Sequence, residues 1–152
     1  MSAINLNVNG TARSVEVNDM TVLLDALREG TGVRSAREGC GVGACGSCTV
    51  LVEGRSVSSC LANAQRYDNC AITTADGLPA DDDIVAAFVD SNAMQCGYCI
   101  PGFVLMTTEL LAQNPHPTDD EITEHLEGNI CRCGTYLEIR AAVHEAARRR
   151  SA

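Results

Sequence analysis

Long apolar runs are missing from this sequence. No stretch reaches the roughly 20 consecutive apolar residues that span a bilayer, and Met1 to Gly10 has neither the basic start nor the apolar core of a secretory signal. No direct membrane insertion is therefore expected, and the expected location is cytoplasmic. Basic side chains are also scarce: eleven Lys and Arg against twenty Asp and Glu leave a formal charge of −9. That field repels nucleic acid and anionic lipid, so the expected partners are proteins and no nucleic acid. The one basic run, Arg148 to Arg150, lies at the tail, where a solvated helix end accounts for it. His116, His125 and His144 share no spacing that would build a metal site or a base. The sequence has no nucleophile, general-base or substrate-pocket signature, no internal repeat and no low-complexity segment. No catalytic residue is assigned.

Cysteine, by contrast, is abundant, with nine in 152 residues. Without an export signal, reducing surroundings keep these thiols free, and metal binding is the better use for them than a disulfide scaffold. The odd count points the same way.

The chain changes character near Ala75 to Pro79. Before it, Ile4, Leu6 and Val8 alternate, Asn9-Gly10 signals a type I′ turn, and Val15 and Val17 resume on a return strand. Val22, Leu23, Ala26 and Leu27 fall at helical spacing, with Asp19 or Thr21 as the cap and Gly30 as the stop. Thr49 to Val52 reads as a strand, Glu53-Gly54 as a turn, and Val57 and Ile72 mark two more short strands. After the boundary every segment reads as helix. Asp81 to Asp83 begin the first of these, with Ile84, Val85, Phe88 and Val89 as its apolar face. Pro101 opens the second, which runs to about Gln113. Thr118 with Glu121, and Thr135 with Glu138, make capping boxes for the third and fourth. The expected class is α+β: residues 1–76 a small mixed sheet with one helix, residues 77–152 a compact four-helix unit.

Eight cysteines fall into two sets. Cys40, Cys45, Cys48 and Cys60 are spaced C-x4-C-x2-C-x11-C, with Gly39, Gly41, Gly43 and Gly46 among the first three. The opening is the plant-type ferredoxin spacing for a [2Fe-2S] cluster. The glycines suit a loop that must turn its amides onto sulfur in conformations barred to residues with a Cβ. Spacing and context assign Cys60, not Cys70, as the fourth ligand. The second set is Cys96, Cys99, Cys131 and Cys133, C-x2-C-x31-C-x-C, each pair just ahead of a helix whose N-terminal amides favour an anion. Spacing alone leaves a second cluster and a structural zinc site both open here. The single-residue gap fits zinc less well, because zinc loops usually separate paired ligands by two to four residues. Cys70 reads as a small buried apolar residue.

The segments Glu38-Gly39-Cys40-Gly41-Val42-Gly43-Ala44-Cys45-Gly46-Ser47-Cys48-Thr49-Val50, Gln95-Cys96-Gly97-Tyr98-Cys99-Ile100-Pro101-Gly102-Phe103 and Gly128-Asn129-Ile130-Cys131-Arg132-Cys133-Gly134 occur in that order. In combination they make the chain resemble, over nearly its whole length, the small iron-sulfur subunit of molybdenum hydroxylases, the family of xanthine oxidase, aldehyde oxidoreductase and carbon monoxide dehydrogenase. The resemblance implies a β-grasp ferredoxin-like domain followed by a helical domain, each with one [2Fe-2S] cluster. It also implies a large molybdopterin-binding partner that hydroxylates an aldehyde or N-heterocycle, and a medium FAD-binding partner, in a heterotrimer or dimer of heterotrimers. By the same resemblance Cys96, Cys99, Cys131 and Cys133 hold the cluster nearer molybdenum, with Gln95 and Cys133 at the pterin edge. The set of Cys40, Cys45, Cys48 and Cys60 lies on the flavin side. The chain then conducts electrons one at a time and catalyses nothing itself. The competing reading is a free-standing two-cluster ferredoxin.

Overall fold

The structure is a computed structural model that describes residues 1–151. Strands β1 (Ser2–Val8) and β2 (Thr11–Val17) pair antiparallel from Ser2↔Val17 to Val8↔Thr11. Asn9 and Gly10 both take positive φ (51° and 78°), which is the two-residue turn that matches strand twist. The alternation of Ile4, Leu6, Val8, Val15 and Val17 puts all five side chains on the buried face. Helix α1 (Leu23–Asp25) crosses that face and widens into a π-helical turn at Ala26–Thr31. Strands β3 (Thr49–Val52), β4 (Arg55–Ser58) and β5 (Ala71–Thr73) complete a five-stranded sheet of order β2-β1-β5-β3-β4. Only β1 and β5 run parallel, so the sheet is mixed and β-grasp-like.

Helices α2 (Asp83–Asp90), α3 (Ile100–Gln113), α4 (Asp119–Leu126) and α5 (Tyr136–Arg150) follow. Each half has its own apolar cluster. Leu6, Leu23, Leu27, Val50 and Ile72 centre the first, and Ile84, Phe88, Phe103, Ile122, Ile139 and Val143 the second. Helix α3 is buried nearly all round, at Phe103, Val104, Leu105, Leu110 and Leu111, because it serves both the helical cluster and strand β3 with the edge strand β4. No described helix is long and apolar enough to cross a membrane.

Several local expectations differ from the structure, each for a tertiary reason. Neither Asp19 nor Thr21 caps α1: the N–H groups of Leu23 and Leu24 donate to the carbonyls of Ala62 (2.7 Å) and Ser59 (3.0 Å). Backbone from the Cys60 segment thus replaces a side-chain cap. The helical run passes Gly30, which packs on Val15 without room for a Cβ, and ends at Gly32, at φ 79°. Val89 is 57% exposed, and Ala87 takes its place on the buried face of α2. The capping box of Thr118 and Glu121 forms, whereas Thr135 makes no cap and lends its hydroxyl to Cys131. The basic tail is more than solvated. Arg149 reaches Asp90 (2.5 Å) and Glu145 (2.7 Å), and Arg150 lies 3.7 Å from Asp82, tying the end of α5 to α2. His144 hydrogen-bonds Asp119 at 2.6 Å.

One buried carboxylate joins the halves. Glu109 of α3, 8% exposed, accepts the Ser56 N–H of the edge strand β4 at 2.9 Å. Its other oxygen lies 3.4 Å from His125 Nε2, outside hydrogen-bond geometry. An edge-strand amide buried without an acceptor is costly. Glu109→Ala is expected to cost about 2 kcal/mol in urea unfolding, as for a hydrogen bond to a charged group, and Glu109→Gln less than half of that.

Candidate metal centres

The first set is built by the loop that leads into β3 and by the turn after β4. Gly41 and Gly43, at φ 66° and 72°, reverse the loop so that the amides of Val42 (3.4 Å) and Ala44 (3.3 Å) point at Cys40 Sγ. Those two amides, with the Cys45 thiol, bring Cys40 down to about 7 although it is exposed. Cys60 is buried, and its burial followed by the Cys48 thiol pushes it up to about 11. The thiols act on one another in two pairs, Cys40 with Cys45 and Cys48 with Cys60, and Cys60 feels the charge of Cys40. Ser59 supports the turn by donating to the Cys48 carbonyl at 2.6 Å.

The second set repeats the scheme on helix starts. Cys96 is exposed, receives the Tyr98 N–H at 3.5 Å, and is lowered by that amide and by the Cys133 thiol. Cys99 precedes α3 and is buried; burial, then the Cys131 thiol, pushes it up to about 12. Burial also raises Cys131, but the Thr135 hydroxyl at 3.1 Å and its N–H outweigh this and bring it to about 7. The Tyr136 hydroxyl accepts the Cys131 N–H at 2.9 Å. Again the thiols act on one another in two pairs, Cys96 with Cys133 and Cys99 with Cys131.

Both donor sets fit a two-iron core: four thiols and inward amides, with one edge open to solvent. No three or more His, Cys, Asp or Glu side chains among the described residues are arranged around a single metal ion. The single-residue gap between Cys131 and Cys133 suits a two-iron centre better than zinc, whose loops usually separate paired ligands by two to four residues. Cys70 is half-buried against the first apolar cluster, its Sγ 3.9 Å from the Asp68 carbonyl. Gln95 is exposed beside Cys96.

The two sets meet back to back. Ile130, next to Cys131, donates its N–H to the Cys45 carbonyl at 3.0 Å. Gly102 of α3 packs on the Gly46 carbonyl so closely that a Cβ would strike it, and Asn129, buried, fills the space above Gly46. Arg37 donates to the carbonyls of Gly97 (2.8 Å) and Tyr98 (3.0 Å), and the Tyr98 hydroxyl donates to the Glu38 carbonyl (2.7 Å). A cleft of about 360 Å³ opens at this seam, lined by Glu38, Cys45, Cys96, Tyr98, Ile130 and Arg132. Sequence reasoning missed this seam: Arg37 lies outside the quoted segments, and Glu38 and Asn129 stand in them with nothing to show that they meet.

Known proteins agree with the two centres. A 2Fe-2S iron-sulfur cluster binding domain matches residues 6–74, and a [2Fe-2S] binding domain matches residues 74–144. The nicotinate dehydrogenase small FeS subunit of Eubacterium barkeri is 45% identical over 96% of this chain and 95% of its own length. The aldehyde oxidoreductase iron-sulfur-binding subunit of Escherichia coli K12 is 39% identical over 95% of this chain and 71% of its own. Among solved structures, quinoline 2-oxidoreductase from Pseudomonas putida 86 superposes with a TM-score of 0.91 at 38% identity, over 97% of this chain and 96% of that one. The aldehyde oxidoreductase of Desulfovibrio desulfuricans gives 0.94 at 35% identity, over 99% of this chain and 17% of that one. This chain belongs to the small iron-sulfur subunits of the molybdenum hydroxylases, which carry two [2Fe-2S] clusters and serve as the electron-transfer component of a larger oxidoreductase complex.

Proposed function

We propose that this chain conducts electrons from a molybdenum-pterin centre on a large partner to FAD on a medium partner. The path enters at Cys96, Cys99, Cys131 and Cys133 and leaves at Cys40, Cys45, Cys48 and Cys60. Each [2Fe-2S] group, when bound, carries one electron at a time, so two in series relay a two-electron oxidation. The chain's residues supply the rest: thiols that hold each group, amides that stabilise its negative charge, and packing that limits water around the buried thiols.

The observation that carries this reading is the hydrogen bond from Ile130 to the Cys45 carbonyl. Through it a ligand of one set and the neighbour of a ligand of the other are joined by one 3.0 Å contact, a short route between the centres. The open edge of the helical set adds support. Met94, Tyr98, Ile130, Tyr136 and Leu137, each within four residues of a cysteine of this set, are all large, apolar and exposed, as a surface covered by a partner is. Gln95 is exposed beside the exposed Cys96, and the half-buried Cys133 acts on the Cys96 thiol, which supports placing both beside the pterin. Val42 (67% exposed) and Leu61 (62%) flank the opposite set and suit contact with the flavin partner. Residue 77 divides the two domains, in keeping with the two separate apolar clusters.

The substrate of the assembly is an N-heterocycle or an aldehyde, the classes named in the relatives. The assembly is a heterotrimer or a dimer of heterotrimers, and it works in the cytoplasm, where its thiols stay reduced. Those relatives are subunits of complexes, which does not favour a free-standing ferredoxin.

Purified with its partners, the chain is expected to carry about four irons, to bring molybdenum with it, and to show two [2Fe-2S] signals in low-temperature EPR. A lone chain with four irons would support the diffusing carrier instead, and two irons with zinc would leave only the first centre. Cys133→Ser is expected to abolish the signal of the helical set and slow substrate-driven electron flow by more than about 100-fold, beyond the loss seen for residues that merely support ligands. The other signal is expected to survive, and Cys70→Ser to leave both intact. Loss of the other signal in Cys133→Ser would overturn the assignment.

A further inference from the structure

Arg37 and Glu38 are neighbours of opposite charge, and the fold sends them to different thiol sets. The Arg37 guanidinium leaves its own loop to bind the carbonyls of Gly97 and Tyr98, at 2.8 and 3.0 Å. These are the two residues between Cys96 and Cys99. The guanidinium also lies 5.3 Å from the centre of the Tyr98 ring. Glu38 stays with the Cys40 loop: a Cβ placed on Gly41 would stand 2.8 Å from its Oε1. The bond from the Tyr98 hydroxyl to the Glu38 carbonyl, 2.7 Å, fixes this crossing. The sheet half therefore lends a fixed cation to the loop of the helical set and keeps a carboxylate beside its own.

We propose that Arg37, assisted by Glu38, sets how one electron divides between the two clusters and holds it on the cluster of Cys96, Cys99, Cys131 and Cys133. The inference rests on the ligand assignment proposed above. A cluster gains one negative charge on reduction, so a neighbouring cation favours its reduced form and a neighbouring carboxylate opposes it. Arg37 is charged at every accessible pH. Two carbonyl bonds and a ring face pin it, so its charge acts from one place and is not averaged through solvent. Arg132, between Cys131 and Cys133, is exposed and more strongly screened. The exchange is balanced within the chain: one electron leaves one cluster and arrives at the other, with no outside reductant.

The assembled complex provides the test, poised at a series of potentials while the EPR signals of both clusters are measured, with Cys133→Ser identifying which signal belongs to which set. Arg37→Gln, with its iron content intact, is expected to shift the partition about tenfold toward the Cys40 set, which is 59 mV for a one-electron couple. Arg37→Lys, which keeps the charge, is expected to retain most of the native partition. Glu38 is exposed as Arg132 is, so Glu38→Gln is expected to shift it in the same direction as Arg37→Gln but by less, and it carries the test if Arg37→Gln loses iron. An unchanged partition in Glu38→Gln and in an iron-replete Arg37→Gln would overturn the proposal. So would equal shifts in Arg37→Lys and Arg37→Gln, which would trace the effect to shape and not charge. Loss of the Cys40-set signal in Cys133→Ser would instead strike the ligand assignment beneath it.

Discussion

The hydrogen bond from the Ile130 N–H to the Cys45 carbonyl constrains most of this structure. The glycine-rich loop that carries Cys40, Cys45 and Cys48 and the segment that leads into Cys131 and Cys133 must also lie against one another. That requirement explains Gly102, where a side chain would meet the Gly46 carbonyl, and it explains the buried Asn129 that fills the gap above Gly46. It also explains why α3 has no solvated face worth the name. Its start serves the cysteine loops, and its body packs between the sheet and the other helices.

The electrostatics follow from the same arrangement. In each set the outermost thiol, Cys40 or Cys96, receives loop amides and is lowered by them, whereas an inner one, Cys60 or Cys99, is raised by burial. Thiols raised to about 11 and about 12 take metal only by releasing a proton, so occupation of these sites is tied to pH and to folding. The exposed thiols, Cys40 and Cys96, lie at the solvent-facing edge of each centre. The buried ones anchor each centre to the apolar cluster of its own half. A chain of formal charge −9 disfavours extra negative charge on a reduced centre, which makes the few well-placed cations and the inward amides the effective levers on potential.

Patterns local in the chain were legible in the sequence. The hairpin at Asn9-Gly10, the strands at Thr49–Val52 and Ala71–Thr73, the start of α3 at Pro101 and the capping box of Thr118 all rest on spacing or turn chemistry within a few residues. The α+β class and the first cluster were readable too, since the spacing of Cys40, Cys45 and Cys48 and their interleaved glycines are local signals. The second cluster, its cysteine pairs 31 residues apart, was legible only through the family resemblance. What could not be read was whatever the other half of the chain decides. The cap of α1 is backbone from the Cys60 turn, Thr135 serves a thiol in preference to its helix, and Val89 faces outward because small Ala87 suits the close packing of α2 on α5. Arg37 is the clearest case. In sequence it is one more charge on a loop, and only the fold brings it to Gly97, sixty residues on.

If two [2Fe-2S] centres act as one conductor, they must couple across the Cys45–Ile130 seam. The most direct test is the low-temperature EPR spectrum of the intact complex, compared between partial and full reduction. Magnetic splitting of both signals, growing in only as the second centre is reduced, is the predicted result. Two signals that simply add at every level of reduction, or a single signal, would contradict the account.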